Sequence, residues 1–340
     1  MQEAEELDSS RFQLNRLSPE QQLSSQAEDV QSGLTTCPRT LPPKYFYDEL
    51  GSKLFDQICQ TDEYYLTRAE SALLKKNADE IIDLVKPNAI VEYGSGTSEK
   101  TELLIQAANQ KYDWLHYLPL DVCEEILIES ARRLIERYPD LSVDAWHGDF
   151  LDGMHHFENH HERSLYTFLG SSLGNFSNDQ AISFLRDVRN TAKDEDWFLL
   201  GVDMVKDHAI LNAAYNDGDG YTAAFNLNVL NVLNQALDGD FDVRNFAHHA
   251  FFDAEKSRVE MRLQSCCQQT VTLRDIDLKI DFEDGEHIIT EYSRKYTPDL
   301  IHQLLTSAGF YPQHVYAGDN SEFMLILSSC SKTDKNLKHK

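Results

Sequence analysis

The stretch Ala89-Ile90-Val91-Glu92-Tyr93-Gly94-Ser95-Gly96-Thr97-Ser98-Glu99-Lys100 reads as an apolar strand, a Gly-x-Gly turn and a helix start. Gly94 and Gly96 remove side chains that would hold a ligand away from the backbone. A helix beginning near Thr97 or Ser98 turns its free N–H groups and positive dipole end toward the turn. Glu99 occupies the place of a third fingerprint glycine, and a carboxylate there is a poor neighbour for pyrophosphate. S-adenosylmethionine carries one carboxylate, a sulfonium and no phosphate, so it suits this turn better than a dinucleotide. A lone Gly-x-Gly also occurs where glycine serves tight packing only.

Downstream the pattern alternates strand and helix. Strands are expected at 88–93, 116–122, 142–149, 165–170 and 197–202, and helices at 68–86, 98–109, 123–138 and 178–192. Near-continuous apolar strands in this order predict a parallel sheet covered on both faces. The alternation breaks over 206–294, first helical and then strand-like, too long for one crossover. It resumes with Thr297-Pro298, a helix start, and closes with strands from Tyr311 to Tyr316 and Phe323 to Leu327 joined at Gly318-Asp319-Asn320. The predicted fold class is α/β: a Rossmann-like class I methyltransferase sheet with an antiparallel last strand, plus a second α+β substrate-binding lobe.

The expected organisation is a loose N-terminus over 1–15 and an N-terminal part of the substrate lobe over 16–68. A nucleotide domain over 69–205 and 295–330, an inserted lobe over 206–294 and a disordered tail over 331–340 complete it. Ser18-Pro19-Glu20-Gln21 predicts a helix start, with Gly33 as its end. The aromatic run from Lys44 to Phe55, with Tyr64 and Tyr65, suits either a packed collar or a lid over a ligand.

The formal net charge is −26 with no basic stripe, which argues against nucleic acid and anionic membranes as partners. No apolar run approaches the ~20 residues of a membrane-spanning helix. Six cysteines without a Cys-x-x-Cys pair or an apparent leader predict reduced thiols and a cytoplasmic protein. Cys266-Cys267 fall in a strand pattern and read as structural.

Ligands of such sheets sit at the C-terminal strand ends. Asp121, ending the second strand, can accept both ribose hydroxyls or cap the next helix. Asp149 can take an adenine amino group while Phe150 covers the ring; capping is the equal alternative. Lys100 can reach a carboxylate or lie solvated. Asn175, in the loop Gly170-Ser171-Ser172-Leu173-Gly174-Asn175, suits an α-amino acid head group or a plain turn. His155-His156 and His160-His161 read as a solvated loop, and no metal is expected.

Taken together the motifs are recognisable. They are Pro43-Lys44-Tyr45-Phe46-Tyr47-Asp48, Glu63-Tyr64-Tyr65-Leu66-Thr67-Arg68, the glycine turn, Phe168 to Asn175 and Val205-Lys206-Asp207. Thr222-Ala223-Ala224-Phe225-Asn226, Glu260-Met261-Arg262-Leu263 and Thr290-Glu291-Tyr292-Ser293-Arg294-Lys295 follow in order. The chain resembles the histidine N-alpha-methyltransferases of ergothioneine biosynthesis from about residue 30 to 328. That family makes hercynine from L-histidine with three S-adenosylmethionine molecules. The resemblance implies that Gly94, Gly96, Lys100, Asp121, Asp149 and Phe150 hold S-adenosylmethionine. It implies that Asn175 and Tyr215 take the α-carboxylate and amino end, that Glu291 and Ser293 bond the imidazole, and that Tyr64 and Met261 line the pocket. Tyr47 is placed near the amine, and Tyr47 and Asn175 are the expected catalytic pair. Leu66 and Tyr45 depart from the family's usual proline and tryptophan, at positions that hold no ligand.

A monomer acting on a small molecule is the expected working form. The competing readings are an N-methyltransferase of another aromatic amino acid such as tryptophan, and a non-catalytic adenosyl-ligand sensor. A nicotinamide oxidoreductase is disfavoured by Glu99. Met261 with Glu291 favours imidazole, because an indole has no second ring nitrogen to engage.

Overall fold

The computed structural model describes residues 10–18, 25–153, 161–318 and 322–332. Its elements run β1 (Phe12–Arg16), α1 (Gln26–Thr35), β2 (Arg39–Thr40), α2 (Glu49–Gln60), α3 (Leu66–Val85), β3 (Ala89–Tyr93), α4 (Glu99–Asn109) and β4 (Leu115–Asp121). Next come α5 (Glu124–Arg137), β5 (Leu141–His147), α6 (Phe150–Gly153), β6 (Ser164–Phe168), α7 (Asn178–Thr191), β7 (Trp197–Asp203), α8 (His208–Ala214) and α9 (Tyr221–Ala236). The chain closes with β8 (Phe246–Asp253), β9 (Arg258–Ser265), β10 (Gln269–Leu273), β11 (Leu278–Phe282), β12 (His287–Arg294), α10 (Pro298–Ser307), β13 (Tyr311–Ala317) and β14 (Phe323–Ser329).

Eight strands form the large sheet in the order β1-β5-β4-β3-β6-β7-β14-β13. β1 and β3 to β7 pair in parallel, whereas β14 runs antiparallel to both β7 and β13. The order reverses at β3, whose neighbours β4 and β6 lie on opposite sides. A crevice opens at such a reversal, and the glycine turn leaves β3 there. β3, β6, β7 and β14 are buried at every position, as a sheet covered on both faces requires. One core cluster packs α3, α4 and α5 on one face, and a second packs α7 and α10 on the other.

The second sheet has the order β2-β12-β9-β8, and β10 pairs with β11 as a separate ribbon. A third core cluster joins these strands to α9 and to Val30, Leu34, Leu41, Phe46, Ile58 and Tyr64 of the N-terminal segment.

Four expectations need correction. The stretch before residue 16 is not loose throughout: Phe12 pairs with Val143 and Leu14 with Ala145, and both side chains pack on the core. Alternating apolar residues in a polar leader were enough to add an edge strand. Among the described residues the helix that reaches Gly33 is capped by Ser25 with Glu28 in a capping box, and it continues through Gly33 rather than ending there. A Cβ at Gly33 would sit 2.2 Å from the Thr40 carbonyl oxygen, so glycine there serves the close approach of β2. β5 ends at His147, and Asp149 caps the short helix α6 by accepting the Leu151 N–H at 3.0 Å. Cys266 and Cys267 lie in the bend after β9 rather than in a strand.

Pro19 to Gln21, His155, His156, His160, Asp319 and Asn320 lie outside the described residues. So does the tail beyond Lys332.

Candidate active site

The glycine turn is held from below. Gly94 and Gly96 have φ of 70° and 48°, the left-handed region that costs other residues about 1–2 kcal/mol. Asp121, at the end of β4, accepts the Gly96 N–H at 2.8 Å and the Cys123 N–H at 3.0 Å. It thus fixes the turn and caps α5 at once. Burial raises the Asp121 pKa, and those backbone N–H groups oppose the rise. Beneath the turn, Glu92 accepts from Thr101 at 2.6 Å and from Tyr117, which also bonds Ser98 at 2.8 Å. Burial pushes Glu92 up to about 7 against those hydrogen bonds.

The turn leaves room above it. A Cβ at Gly96 would meet nothing within 4 Å, and one at Gly94 would come to 4.0 Å from the Phe150 ring. Open space over backbone N–H groups, a carboxylate at the neighbouring strand end and an aromatic ring beside the first glycine suit an adenosyl ligand.

Lys100 is not free. Its Nζ bonds Glu70 Oε2 at 2.7 Å, and burial of the lysine is outweighed by that carboxylate, which holds its pKa above the ordinary value. Glu70 is buried on α3 and accepts the Gly170 N–H at 2.8 Å. One buried carboxylate therefore ties the first helix after the glycine turn to the loop carrying Asn175. Asp149 faces Lys44 at 3.2 Å, and Lys44 also pairs with Asp29 of α1 at 2.9 Å. The N-terminal segment is thereby latched to the end of β5.

Opposite the turn lies an aromatic wall. Tyr47 packs edge-on against Phe55 and Phe225, Phe55 against Tyr64, and Tyr64 against Tyr215, with ring centroids 5.5–6.2 Å apart. Burial raises the Tyr47 hydroxyl well above the tyrosine range, and Glu291 and Asp121 add to the rise. Tyr47 thus feels charge from Glu291 of the second sheet and from Asp121 of the nucleotide sheet. Tyr64 is raised by burial and then by its neighbours Tyr215, Cys59, Tyr47 and Glu291. Tyr47, Tyr64 and Tyr215 are therefore gathered, with Glu291 beside them.

Glu291 and Met261 stand opposite each other on β12 and β9, so their side chains share a face, and Ser293 lies two residues along it. The register shifts between Ile289 and Glu291, a bulge that re-aims the strand at this point. Burial pushes Glu291 up to about 7, with Lys295 opposing. Among the described residues no side chain is hydrogen-bonded to its carboxylate. Asn175 ends the 3₁₀ turn Ser172–Asn175 and is half-buried. Ser171, which precedes that turn, accepts the Asp203 N–H at 2.9 Å and so docks it on β7.

Two open concavities, near Arg189 and Tyr311 and between α10 and β13, lie away from these residues. A convergence of polar groups locates a site better than concavity alone, and these groups converge between the two sheets.

Residues 26–330 match the family model described as histidine-specific methyltransferase, SAM-dependent. The chain belongs to this family. It is 38% identical over 314 residues to "Histidine N-alpha-methyltransferase" of Mycolicibacterium smegmatis, covering 92% of this chain and 98% of that one. It is 30% identical over 312 residues to "Ergothioneine biosynthesis protein 1" of Neurospora crassa, covering 86% of this chain and 34% of that longer protein. Among solved structures, an S-adenosylmethionine-dependent methyltransferase from Clostridium acetobutylicum aligns with a TM-score of 0.45 at 13% identity, covering 82% of this chain and 98% of that one.

Four residues of this histidine-specific methyltransferase escaped the sequence reading. Asp203, at the end of β7, is fully buried and pairs with Lys295 at 2.7 Å and with Lys206. Tyr65 donates to the same carboxylate at 2.7 Å and accepts from Lys206. Lys206 and Lys295 stand in the recognised motifs, but charge in a motif does not reveal whether it is solvated or buried. Two lysines and a tyrosine gathered on one carboxylate come from three separate segments, so only tertiary structure brings them together.

Proposed function

We propose that this chain transfers three methyl groups in succession to the α-nitrogen of L-histidine, giving hercynine, as the first step of ergothioneine biosynthesis. The observation that carries the reading is Glu291: a half-buried carboxylate without a bonded protein partner among the described residues, opposite Met261, beside the tyrosine wall. A ring N–H satisfies such a group, whereas an indole meets it with its single nitrogen and offers nothing to Ser293.

In this reading Gly94, Gly96, Asp121 and Phe150 hold S-adenosylmethionine, whose bound form supplies a methyl group on a sulfonium. Lys100 serves by fixing the Gly170 loop through Glu70, with its remaining N–H groups left for the cofactor carboxylate. Asp149, shared with Lys44, closes the adenine side under the N-terminal segment. Asn175 and Tyr215 aim the amino end of the substrate. Tyr64 and Met261 wall the ring, and Glu291 and Ser293 bond it. The attacking nitrogen must be the free amine, so the chain's task is alignment and removal of one proton per transfer. Tyr47 keeps its proton, since burial raises it well above the tyrosine range, so it passes the proton along as a hydrogen-bonded relay rather than as a base. The tyrosine faces suit the growing cation.

The proposed working form is a monomer acting on a small molecule. The six free cysteines suit the reducing cytoplasm.

A competition assay tests the choice of substrate. Equal histidine and tryptophan with S-adenosylmethionine should yield methylated histidine alone. Methylated tryptophan as the main product would shift the reading to another aromatic amino acid, and no methylated product from a broad amino-acid panel would favour the sensor.

A further inference from the structure

Lys295 is fully buried where β12 leaves the second sheet, and its ammonium makes three bonds. They run to Asp203 Oδ2 at 2.7 Å, Tyr215 Oη at 2.8 Å and Ser293 Oγ at 3.0 Å. An ammonium has three N–H donors and no lone pair, so Lys295 is fully spent and accepts nothing. Tyr215 in turn donates to Ser293 Oγ at 2.7 Å.

Counting hydrogens fixes what is left. Two hydroxyls bring two hydrogens, and one is consumed between them. Neither can turn toward Lys295. With Tyr215 as the donor between them, the hydrogen of Ser293 is left over and turns away from Tyr215 and the ammonium. Glu291, two residues earlier on the same face of β12, has the opposite need and accepts. Asp203 keeps Tyr65 and Lys206 as further partners, so it anchors Lys295 from the nucleotide sheet without depending on it.

We propose that Lys295 is a positioning residue that, as a donor-only neighbour of Tyr215 and Ser293, turns the spare Ser293 hydrogen toward the substrate ring. The site then takes a ring with one N–H, given to Glu291, and one bare nitrogen, which accepts from Ser293. This rests on histidine being the substrate. It explains how one lysine, touching no ligand, sets ring selectivity: a neutral imidazole matches both groups, and a pyrrole matches only Glu291.

The test is equilibrium binding of histidine and of the two pyrrolylalanines, attached at ring position 2 or 3. Each keeps an N–H but lacks the accepting nitrogen. The unaltered protein should prefer histidine by about tenfold or more over the better pyrrole, the scale of one unmade hydrogen bond to a buried hydroxyl. Lys295→Gln gives the hydroxyls a carbonyl to donate to, and the preference should fall to within about threefold. Lys295→Arg, a donor-only replacement, should retain it. S-adenosylmethionine affinity should stay unchanged in both. An equal loss of histidine and pyrrole binding in Lys295→Gln, with the preference intact, would assign Lys295 a purely structural role and overturn the proposal. Should neither lysine variant fold, Tyr215→Phe decides: Ser293 keeps its donor-only neighbour, so the preference should survive, and its loss contradicts the proposal. If the unaltered protein binds no histidine, the substrate reading itself fails, a result separate from these.

Discussion

The two walls of the cleft meet their polar requirements in opposite ways. On the nucleotide side, Asp121 is already bonded to the N–H groups of Gly96 and Cys123, and Glu92 to Thr101 and Tyr117. On the side of the second sheet, Glu291 is half-buried without a bonded partner among the described residues, and the Ser293 hydrogen is left over from its network. The bonded carboxylates of the nucleotide side hold the turn, while the remaining Lys100 N–H groups and the buried, unbonded Ser95 hydroxyl stay open to the methyl donor that any acceptor shares. A carboxylate left unbonded demands a particular ligand to complete it, and selectivity should reside there.

Replacing Glu291 by alanine should break this contrast most severely. Histidine affinity should fall about 10–100-fold, the scale of a buried hydrogen bond to a charged group, while S-adenosylmethionine affinity stays nearly intact. Calorimetry with each ligand reads both numbers, and equal losses would show that the two walls do not divide the work. The converse variant, Gly94→Ala, places a side chain at φ 70° and should weaken S-adenosylmethionine by roughly 5–30-fold, from about 1–2 kcal/mol of strain, with a smaller effect on histidine.

The pH dependence sharpens the comparison. Glu291 and Glu92 both sit near 7 in the fold, above the ordinary carboxylate value of 4.5. An acid with a raised folded pKa keeps its proton longer in the folded state, so the ligand-free protein should gain stability as pH falls from above 7 toward 4.5. Glu291→Gln should flatten part of that slope in thermal melts, and an unchanged slope would mean that Glu291 does not titrate there. Histidine binding should follow the opposite trend and strengthen as pH rises through 7, because a ring N–H needs the ionised carboxylate. Turnover should also rise with pH as the substrate amine loses its proton. Tyr47→Phe should lower kcat by less than about 100-fold with the pH profile unmoved, since the tyrosine relays a proton without holding a base's charge.

Much of the sheet was legible in the sequence because each strand carries its own signal. Ile90-Val91, Leu118, Leu165 and Leu199-Leu200 are apolar runs bounded by turns or helices, and all are buried. The glycine turn is legible because φ values of 70° and 48° suit few other residues. The edge strand from Phe12 was not legible, since two apolar residues in a polar leader carry little signal until β5 is present to pair with them. The occupation of Lys100 by Glu70 was hidden for a related reason. A residue's chemistry is local, but its vacancy depends on partners 30 positions away. The same holds for Lys295, which reads as an ordinary strand-end lysine until Asp203, Tyr215 and Ser293 surround it.

The most direct measurement is mass spectrometry of L-histidine incubated with this protein and excess S-adenosylmethionine. A histidine carrying three added methyl groups, all on the α-nitrogen by fragmentation, is the predicted product. Unmodified histidine, or methyl groups on the ring nitrogens, would contradict a cleft that bonds the ring to Glu291 and Ser293 and leaves the amine to attack.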